Sequence, residues 1–375
     1  MCAKKEKTLT DSRKKGGFWR FLRRFLLVIF TLVLLAFGAL VLMMNTIFNG
    51  PSPAARNVLT MSLIEASATK WVPSVFLGED LVEEIRNQTG AELTSEVTDT
   101  SKVVINKAPT AEQIDEWKDY PDGIKIEEYD GDYYSAYIML IKDPDQVYLA
   151  TSTDGEFSKD KPGTRITNAI ETEGAAAAIN AGAFFDDGTT SAVVGSHPLG
   201  LVYSQGKCVW DSGWPPEGGF GGFDNNGVLV VAKEMKKSEA EALGIRDGCE
   251  FGPALIINEE INQAAYEKNS GMNPRTAIGQ RADGTVIFVV VDGRQGGSLG
   301  ATYADLIDIM VEYGAVNACN MDGGSSSIML YRDTYGRYGA AGQVQTISNY
   351  ALLQEQPRRM PDFWMIRSLT QLEKE

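Results

Sequence analysis

An uncharged apolar stretch near the start of the chain constrains its fold and location most. It runs from Phe25 to Met44 without a charged side chain. At a rise of about 1.5 Å per residue, a helix of this length spans about 30 Å, which matches the hydrocarbon thickness of a bilayer. We therefore predict a transmembrane helix over residues 25–44 and take the membrane as a partner of the chain.

Basic residues are concentrated before this stretch. Residues 1–24 contain nine Lys and Arg against two acidic residues, a net charge of +7. The positive-inside rule assigns that end to the cytoplasm, so we expect a cytoplasmic tail at 1–24 and an extracytoplasmic part at 45–375. The alternative is a cleaved signal peptide, whose apolar stretch is shorter and ends at a small-residue site. Ser52-Pro53-Ala54 fits such a site poorly because of its proline, and we favour an uncleaved anchor.

The rest of the chain is strongly acidic. The whole chain has a formal net charge of −15, so residues 25–375 carry −22. This balance argues against nucleic-acid binding, which needs a basic surface. The one histidine, His197, excludes sites built from several histidines, such as the common catalytic zinc sites. No motif requires a cofactor, and a divalent cation is compatible with the composition without a specific motif for one. The sequence leaves open whether Cys208 and Cys249 pair.

The hydrophobic pattern divides the exposed part into a stalk, a linker and a larger domain. Residues 50–90 have apolar side chains near helical spacing, whereas 91–123 are polar and have no sustained period. We therefore assign 45–123 to a partly helical stalk and linker. From Ile124 short apolar runs alternate with glycine-rich turns, and we place the main domain at 124–370.

A β-hairpin is predicted in the second half of this domain. Residues 276–280 and 285–291 are apolar runs on either side of Asp283-Gly284. An Asp-Gly pair between such runs is typical of a tight two-residue hairpin turn. With that turn, Arg275 lies opposite Asp292 and both belong to the same end of the sheet.

A helix and a further strand follow the hairpin. Thr302 is a suitable N-cap, Gly314 ends the helical pattern, and residues 315–321 form another apolar run. Strand, helix and strand in succession predict a parallel pair with a right-handed crossover, so the fold class is α/β, a mixed sheet with helices. A short repeat around Asn180 and Asn320 suggests two related strands in one sheet, with chance as the alternative.

Charged side chains gather where these strands end. Asp292 directly follows one predicted strand and Asp322 the next, and in open α/β sheets sites form beyond such strand ends. The hairpin adds Arg275 and Arg294. Two carboxylates supply the acid and the base or nucleophile for glycosidic cleavage, and guanidinium groups bind phosphate. We therefore predict Asp292 and Asp322 as catalytic and the two arginines as substrate ligands; the alternative is ordinary turns and salt bridges.

Three further features are weaker candidates for substrate binding. The backbone N–H groups of Gly323, Gly324 and Ser325 can form an anion-binding nest, or the segment can be a flexible linker. His197 can act as an acid, base or ligand, or be structural or exposed. Four aromatic residues in a Gly- and Pro-rich stretch can stack on a sugar or pack internally: Trp210, Trp214, Phe220 and Phe223.

Four segments of the sequence resemble the phosphodiester glycosidase family. They occur in the order of the family and cover about residues 165–350. The family often has Asn-Gly-Gly where this chain has Asn180 followed by Ala181, so the likeness is weaker at that loop. The four segments are Asn180-Ala181-Gly182-Ala183-Phe184-Phe185, Asn273-Pro274-Arg275-Thr276-Ala277-Ile278-Gly279, Val291-Asp292-Gly293-Arg294 and Asn320-Met321-Asp322-Gly323-Gly324-Ser325-Ser326-Ser327.

This resemblance implies a reaction and a substrate class. It implies hydrolysis of the glycosidic bond of a sugar-1-phosphodiester, with Asn180 as a further substrate ligand. Bacterial relatives are often described as exopolysaccharide biosynthesis proteins, so a phosphate-containing glycan of the cell envelope is the expected substrate. Two alternatives are a non-catalytic protein that binds or assembles such a glycan, and an extracytoplasmic glycosyl or phosphoglycosyl transferase. The presence of both Asp292 and Asp322 favours the enzyme.

The charge asymmetry predicts the topology of the anchored chain. A protease added outside intact cells should remove residues 50–375 and leave the tail at 1–24 intact, because only the C-terminal part is accessible there. Immunoblotting with tags at both ends measures this. Protection of the C-terminal part in intact cells, with cleavage only after lysis, would contradict the predicted orientation.

Overall fold

The structure is a computed structural model that describes residues 3–65, 69–87, 95–103, 105, 111–153, 155–186, 194–213, 219–267, 270–350 and 354–372, with side chains from residue 18 onward except at 111–113. The helices are α1 (Ala3–Phe48), α2 (Pro53–Ile64), α3 (Val72–Leu77), α4 (Glu79–Arg86), α5 (Ala111–Trp117), α6 (Ile166–Glu173), α7 (Lys237–Leu243), α8 (Gln263–Glu267), α9 (Tyr303–Glu312) and α10 (Leu369–Leu372). The strands are β1 (Ile124–Asp130), β2 (Ser135–Ile141), β3 (Val147–Thr151), β4 (Thr164–Arg165), β5 (Ala177–Asn180), β6 (Leu201–Ser204), β7 (Lys207–Asp211), β8 (Phe220–Asp224), β9 (Leu229–Ala232), β10 (Ile245–Glu250), β11 (Ala254–Ile257), β12 (Glu260–Ile261), β13 (Arg275–Arg281), β14 (Val286–Val291), β15 (Ala315–Met321), β16 (Met329–Arg332), β17 (Val344–Thr346), β18 (Arg359–Met360) and β19 (Asp362–Ile366).

Helix α1 contains the predicted membrane segment and extends beyond it. Its apolar part, Phe18–Phe48, has 31 residues and is long enough to cross a membrane. A signal sequence near the N-terminus can meet the same criteria of length and composition. Phe48 at the end of the helix is 1% exposed and stacks on Phe76 of α3, with ring centroids 5.0 Å apart. The end of α1 is thus packed against the helices that follow it.

Three β-sheets make up most of the described domain. The first has the strand order β1-β2-β14-β13-β15-β11-β12, the second β7-β6-β10-β8-β9 and the third β17-β16-β5-β19-β3. Neighbouring strands in these sheets are antiparallel, and β4 and β18 form a separate short ladder. The combination of sheets and helices confirms the predicted α/β class.

The three sheets enclose a common hydrophobic core. Ile278 of the first sheet, Phe223 of the second and Trp364 of the third all belong to it, and the last two rings meet edge to face at 5.7 Å. The outer faces are covered by α9 on the first sheet, α7 on the second and α6 on the third. Cys249 lies in the shared core as a free thiol, so Cys208 and Cys249 do not pair.

The predicted strand–helix–strand unit is present, but its strands are not neighbours. Thr302 caps α9 by accepting the N–H of Asp305, and a reciprocal bond returns from the Asp305 carboxylate, which confirms the predicted start of the helix. Strands β14 and β15 point in the same direction, yet each pairs with β13, which lies between them. The predicted adjacent parallel pair is therefore wrong, because the crossover through α9 passes over one antiparallel strand.

The hairpin of β13 and β14 differs from the prediction by one residue. Arg275 lies opposite Val291, not opposite the aspartate that follows it. The turn is one residue longer than predicted: the Arg281 N–H donates to the Thr285 carbonyl at 2.9 Å, and Gly284 has a φ of +94°. Because side chains alternate along a strand, a shift of one residue turns a side chain to the other face of the sheet.

The predicted common sheet for Asn180 and Asn320 is also wrong. Asn180 ends β5, which pairs with β16 and β19 in the third sheet. Asn320 lies in β15, which pairs with β13 and β11 in the first. The two similar strands thus reach one region of the molecule from different sheets.

Described parts of the predicted stalk and linker pack against the main domain. Val103 is buried with Val228 and Val316, and the Thr98 hydroxyl donates to Asn317 Oδ1 at 3.0 Å. Farther upstream, the end of α2 contacts the segment before β13. These segments therefore contribute to the folded unit.

Candidate functional site

The candidate site forms where the ends of β5 and β15 meet. Asn180 is fully buried and donates from Nδ2 to the carbonyl oxygen of Asp322 at 2.6 Å. Its Oδ1 accepts the Thr276 hydroxyl at 2.8 Å and the Ile328 N–H at 3.2 Å. The Asp322 N–H donates in turn to the Ala181 carbonyl at 3.0 Å. These bonds join the third sheet to the first and fix the backbone that carries Asp322.

Two buried carboxyl groups lie at this junction. Asp362, the first residue of β19, accepts the Gly182 N–H through Oδ1 at 3.0 Å, and Asp322 accepts the Gly323 N–H at 2.9 Å. The other oxygen of each carboxyl, Oδ2, is buried and has no hydrogen-bond partner within the described ranges. A buried polar atom without a partner costs free energy, so such atoms are expected where a ligand or a proton binds.

The surroundings raise the pKa of both carboxyl groups. Burial raises the pKa of Asp322 to about 6, against the opposing effects of the nearby Ser326 hydroxyl and the Arg358 guanidinium. Burial raises the pKa of Asp362 to about 7, and the charge of Asp322 adds to this shift. Because the two groups interact, these values describe the pair. At mildly acidic pH the pair therefore holds one proton, the state that acid–base catalysis uses.

Arg358 brings positive charge to Asp322. Its Nη2 donates to Asp186 Oδ2 at 2.6 Å, and its guanidinium lies 5.0 Å from the centroid of the Phe184 ring. The side chains of Arg358 and Asp186 are 25% and 22% exposed. The ion pair thus remains partly accessible to solvent and to a ligand.

Arg294, one of the two arginines predicted as substrate ligands, interacts electrostatically with Asp322. Its Nη2 donates to Asn273 Oδ1 at 2.8 Å. Gly324 has a φ of +62°, and a β-carbon there would lie 3.2 Å from Arg294 Nη1, so glycine permits this close approach. Burial and the like charge of Arg275 lower the pKa of Arg294, whereas Asp322 opposes the shift.

Arg275 and Asp292 lie on opposite faces of the first sheet. The Arg275 guanidinium is 4.2 Å from the centroid of the Tyr303 ring in α9. Asp292 faces the central core, where it accepts the Asn349 N–H at 2.8 Å and Asn349 Nδ2 at 2.6 Å, beside Tyr137. Their predicted convergence on one pocket is wrong, because the one-residue change of register places the two side chains on opposite faces of the sheet.

The predicted anion-binding nest is wrong for two of its three donors. The Gly323 N–H donates to Asp322 itself, and the Gly324 N–H donates to the Pro274 carbonyl at 2.8 Å. Ser325 follows in a 3₁₀ turn. The loop therefore positions the aspartate and the nearby arginine through its backbone.

His197 belongs to an aromatic stack. Its ring centroid lies 5.1 Å from that of Phe185 and 5.4 Å from that of Trp210, and Nδ1 is 2.8 Å from the Ser196 hydroxyl. Burial lowers the pKa of His197 and so favours the neutral ring. Phe185 directly precedes Asp186 in the chain, and the stack thus supports the loop that carries the partner of Arg358.

The predicted aromatic platform is not formed by the two phenylalanines. Phe220 and Phe223 are fully buried and belong to the hydrophobic cores. Trp214 lies outside the described residues. As for metals, the part of the chain that the structure describes has no group of three or more His, Cys, Asp or Glu side chains arranged to hold an ion.

The phosphodiester glycosidase family model matches residues 173–367, just over half of the chain. The chain belongs to the phosphodiester glycosidase family. The matched region contains the carboxyl pair, both arginines of the site and the junction of the first and third sheets. The family assignment therefore covers the geometry described above.

One relative of this family member matches over a short segment. The SPbeta prophage-derived uncharacterized protein YomE of Bacillus subtilis strain 168 is 38% identical over 109 residues, 28% of this chain. The match spans only 17% of the length of that protein.

Two solved structures are similar to the phosphodiester glycosidase chain. The zebrafish N-acetylglucosamine-1-phosphodiester alpha-N-acetylglucosaminidase catalytic domain, auto-inhibited by its pro-peptide, is 18% identical with a TM-score of 0.54, covering 76% of this chain and 92% of that one. A hypothetical protein from Synechocystis is 16% identical with a TM-score of 0.42, covering 65% and 62%. The first likeness agrees with the fold of the family.

Sequence reasoning missed three residues of this candidate site. Asp362, Asp186 and Arg358 are distant in sequence from Asp322. One signal was available for Asp362: it follows Pro361 and directly precedes the apolar run Phe363–Ile366, so it marks a strand end as Asp322 does. No sequence pattern linked Asp186 with Arg358, because only the folded chain brings them together.

The raised pKa of Asp362 predicts a pH-dependent stability. A carboxyl whose folded pKa lies above its unfolded value destabilises the fold as it ionises, so its cost grows as the pH rises from about 4 to about 7. Asp362→Asn should therefore raise the melting temperature at pH 8 and raise it less at pH 5. Calorimetry measures this, with exposed Asp132→Asn as the control. Equal shifts at both pH values would contradict the raised pKa.

Proposed function

We propose that this chain hydrolyses the glycosidic bond of a sugar-1-phosphodiester in a cell-envelope or exopolysaccharide glycan, as an extracytoplasmic enzyme anchored by α1. The observation that carries the proposal is the buried pair Asp322 and Asp362, whose pKa values are both raised and whose Oδ2 atoms have no hydrogen-bond partner among the described residues. Catalysis uses groups that hold and release a proton near the working pH. A protein that only binds glycan needs no such pair, so the pair favours an enzyme.

The proposed reaction breaks the bond between sugar C1 and the phosphate oxygen. The electron pair of that bond leaves with the phosphate monoester, and a water oxygen binds C1. Asp322, whose ionised form the Arg358 guanidinium favours, takes a proton from the water, and Asp362 supplies one to the leaving phosphate. The sugar gains a hydroxyl group, the phosphate gains a proton, and the carboxyl pair regains its starting charge after one proton passes between its members.

Arginine side chains stabilise the phosphate in this proposal. The chain beyond residue 24 carries a net charge of −22, so an anionic substrate needs local positive charge. Arg294 and Arg358 both interact electrostatically with Asp322, and we assign them to the phosphate. Arg275, a phosphate ligand in the sequence-based prediction, is left out because its guanidinium donates to the carbonyls of Ala301 and Gly271 and to a carboxylate.

The substrate linkage in the proposal comes from the family. The zebrafish relative is named for N-acetylglucosamine-1-phosphodiester, and we carry over the sugar-1-phosphodiester linkage without the sugar. The location comes from α1 and its basic flank. Packing of Phe48 against Phe76 favours a retained anchor, because cleavage after α1 would separate these two rings.

Substitution of the carboxyl pair tests the chemistry. Asp322→Asn and Asp362→Asn should each lower kcat by about 10²–10⁴-fold, because each removes one proton-transfer group. Mass spectrometry of products from a panel of sugar-1-phosphate diesters, with the full chain in detergent, measures this. Asp292→Asn should lower kcat by less. A larger loss for Asp292→Asn than for Asp362→Asn would restore the sequence-based pairing of Asp292 with Asp322.

Substitution of the arginines tests the phosphate assignment. Arg294→Lys and Arg358→Lys keep the charge and lose the planar fork, so turnover of phosphodiesters should fall by about 10- to 150-fold. Uncharged aryl glycosides of the same sugar should be less affected. Arg332→Lys is the control. The Arg332 side chain is exposed to the same extent as that of Arg358, and its ion pair with Glu171 lies at the opposite end of the third sheet from Asn180. Equal losses on both substrate classes would refute phosphate binding.

A further inference from the structure

Helix α2, which follows the membrane helix, docks beside the candidate site. Thr60 and Met61 of this helix are buried, and the Ser62 hydroxyl accepts the Met272 N–H at 2.9 Å. The backbones approach so closely that a β-carbon on Gly271 would lie 2.3 Å from the N and Cα atoms of Ser62. The segment before β13 is thus shaped to receive α2.

Glu65, at the C-terminal end of α2, brings a carboxylate into this contact. Its Oε2 accepts Asn273 Nδ2 at 2.5 Å and Arg275 Nη2 at 2.9 Å, and its Oε1 accepts the Gly271 N–H at 3.3 Å. The Arg275 side chain is only 6% exposed, so its charge needs a nearby carboxylate. Glu65 lies upstream of the residues that match the family model.

The hydrogen bonds continue from Glu65 to Arg294. Because Asn273 Nδ2 donates to Glu65, the Asn273 amide is oriented with Oδ1 toward Arg294. This Oδ1 accepts a hydrogen bond from Arg294 Nη2 at 2.8 Å. The charge of Glu65 also offsets the repulsion between Arg275 and Arg294. Arg294 has a φ of +56°, an uncommon conformation for a residue with a side chain, so its position depends on such contacts.

We propose that Glu65 is a positioning residue for Arg294, so that the site is complete only when the membrane-proximal helix α2 is docked. The phosphate-binding part of this statement rests on the function proposed above. Glu65 acts through Asn273 and does not touch the substrate. The opposite reading, in which Glu65 blocks the site, predicts a gain of activity when its charge is removed.

Two variants test the proposal in the full chain in detergent. Glu65→Gln removes the carboxylate charge, with Glu83→Gln as the control, because Glu83 forms an exposed ion pair with Arg86 on α4. Since Glu65→Gln leaves a buried cation unpaired and can unfold the protein, Gly271→Ala provides a second route: it removes no charge and displaces α2 through the close contact with Ser62. Gly296→Ala is its control, because no atom of the described residues lies within 4 Å of a β-carbon there.

The first readout needs no substrate turnover. Phenylglyoxal modifies accessible arginines, and peptide mass spectrometry gives the rate at Arg294. We expect this rate to rise by about tenfold or more in Glu65→Gln and Gly271→Ala, because a charge-assisted hydrogen bond is lost. The rate should stay unchanged in both controls. An unchanged Arg294 rate in folded samples of the two variants would overturn the proposal.

The second readout separates positioning from a general loss of folded protein. With a phosphodiester substrate, KM should rise by about 10- to 150-fold while kcat changes less, because the arginine that binds phosphate is misplaced. A purely structural role for Glu65 would lower the fraction of active enzyme and leave KM unchanged, and that result would overturn the proposal. Faster turnover by Glu65→Gln would also overturn it. If the wild type cleaves no phosphodiester but Arg294 labelling rises in the variants, the positioning role stands and the proposed function fails.

Discussion

The buried amide of Asn180 is the interaction on which the site depends. It binds the Asp322 carbonyl, the Thr276 hydroxyl and the Ile328 N–H, and so joins the end of the third sheet to the first. Without these bonds the ends of β5 and β15 would carry unpaired polar groups inside the protein, which is costly. With them, Ala181 and the next residue of the chain can bind the two aspartates of the carboxyl pair.

Backbone hydrogen bonds at this junction hold the two carboxyl groups in buried positions. Each is held by one backbone N–H, and each keeps one oxygen without a partner among the described residues. Burial raises both pKa values, and the charge of Asp322 adds to the shift at Asp362, which lowers the stability of the fold at neutral pH. The shared core of three sheets supplies the packing that offsets this cost. Such a trade of stability for reactivity is typical of catalytic sites.

Local patterns predicted local structure well. Thr302 marked the start of α9, and the apolar run 285–291 marked the second strand of the hairpin. The hairpin register failed by one residue because the turn closes between Arg281 and Thr285, and turn geometry is decided by backbone angles that the Asp-Gly pair alone does not specify. This one-residue shift placed Arg275 on the face of the sheet that α9 covers and Asp292 on the opposite face. These two of the four predicted site residues therefore do not meet.

Residues that are neighbours in the chain were enough to predict the apolar helix, the acidic body, the likeness to the family, and Asp322 and Arg294 as members of one site. These depend on composition, periodicity and short motifs, which are properties of neighbouring residues. Only the tertiary structure decided the partners of Asp322. Asp362 and Arg358 come from the C-terminal part of the domain, and Glu65, at the end of α2, contacts Asn273 and Arg275. The physical reason is that strand pairing and helix docking are long-range contacts, selected by packing of the whole core, which no single segment encodes.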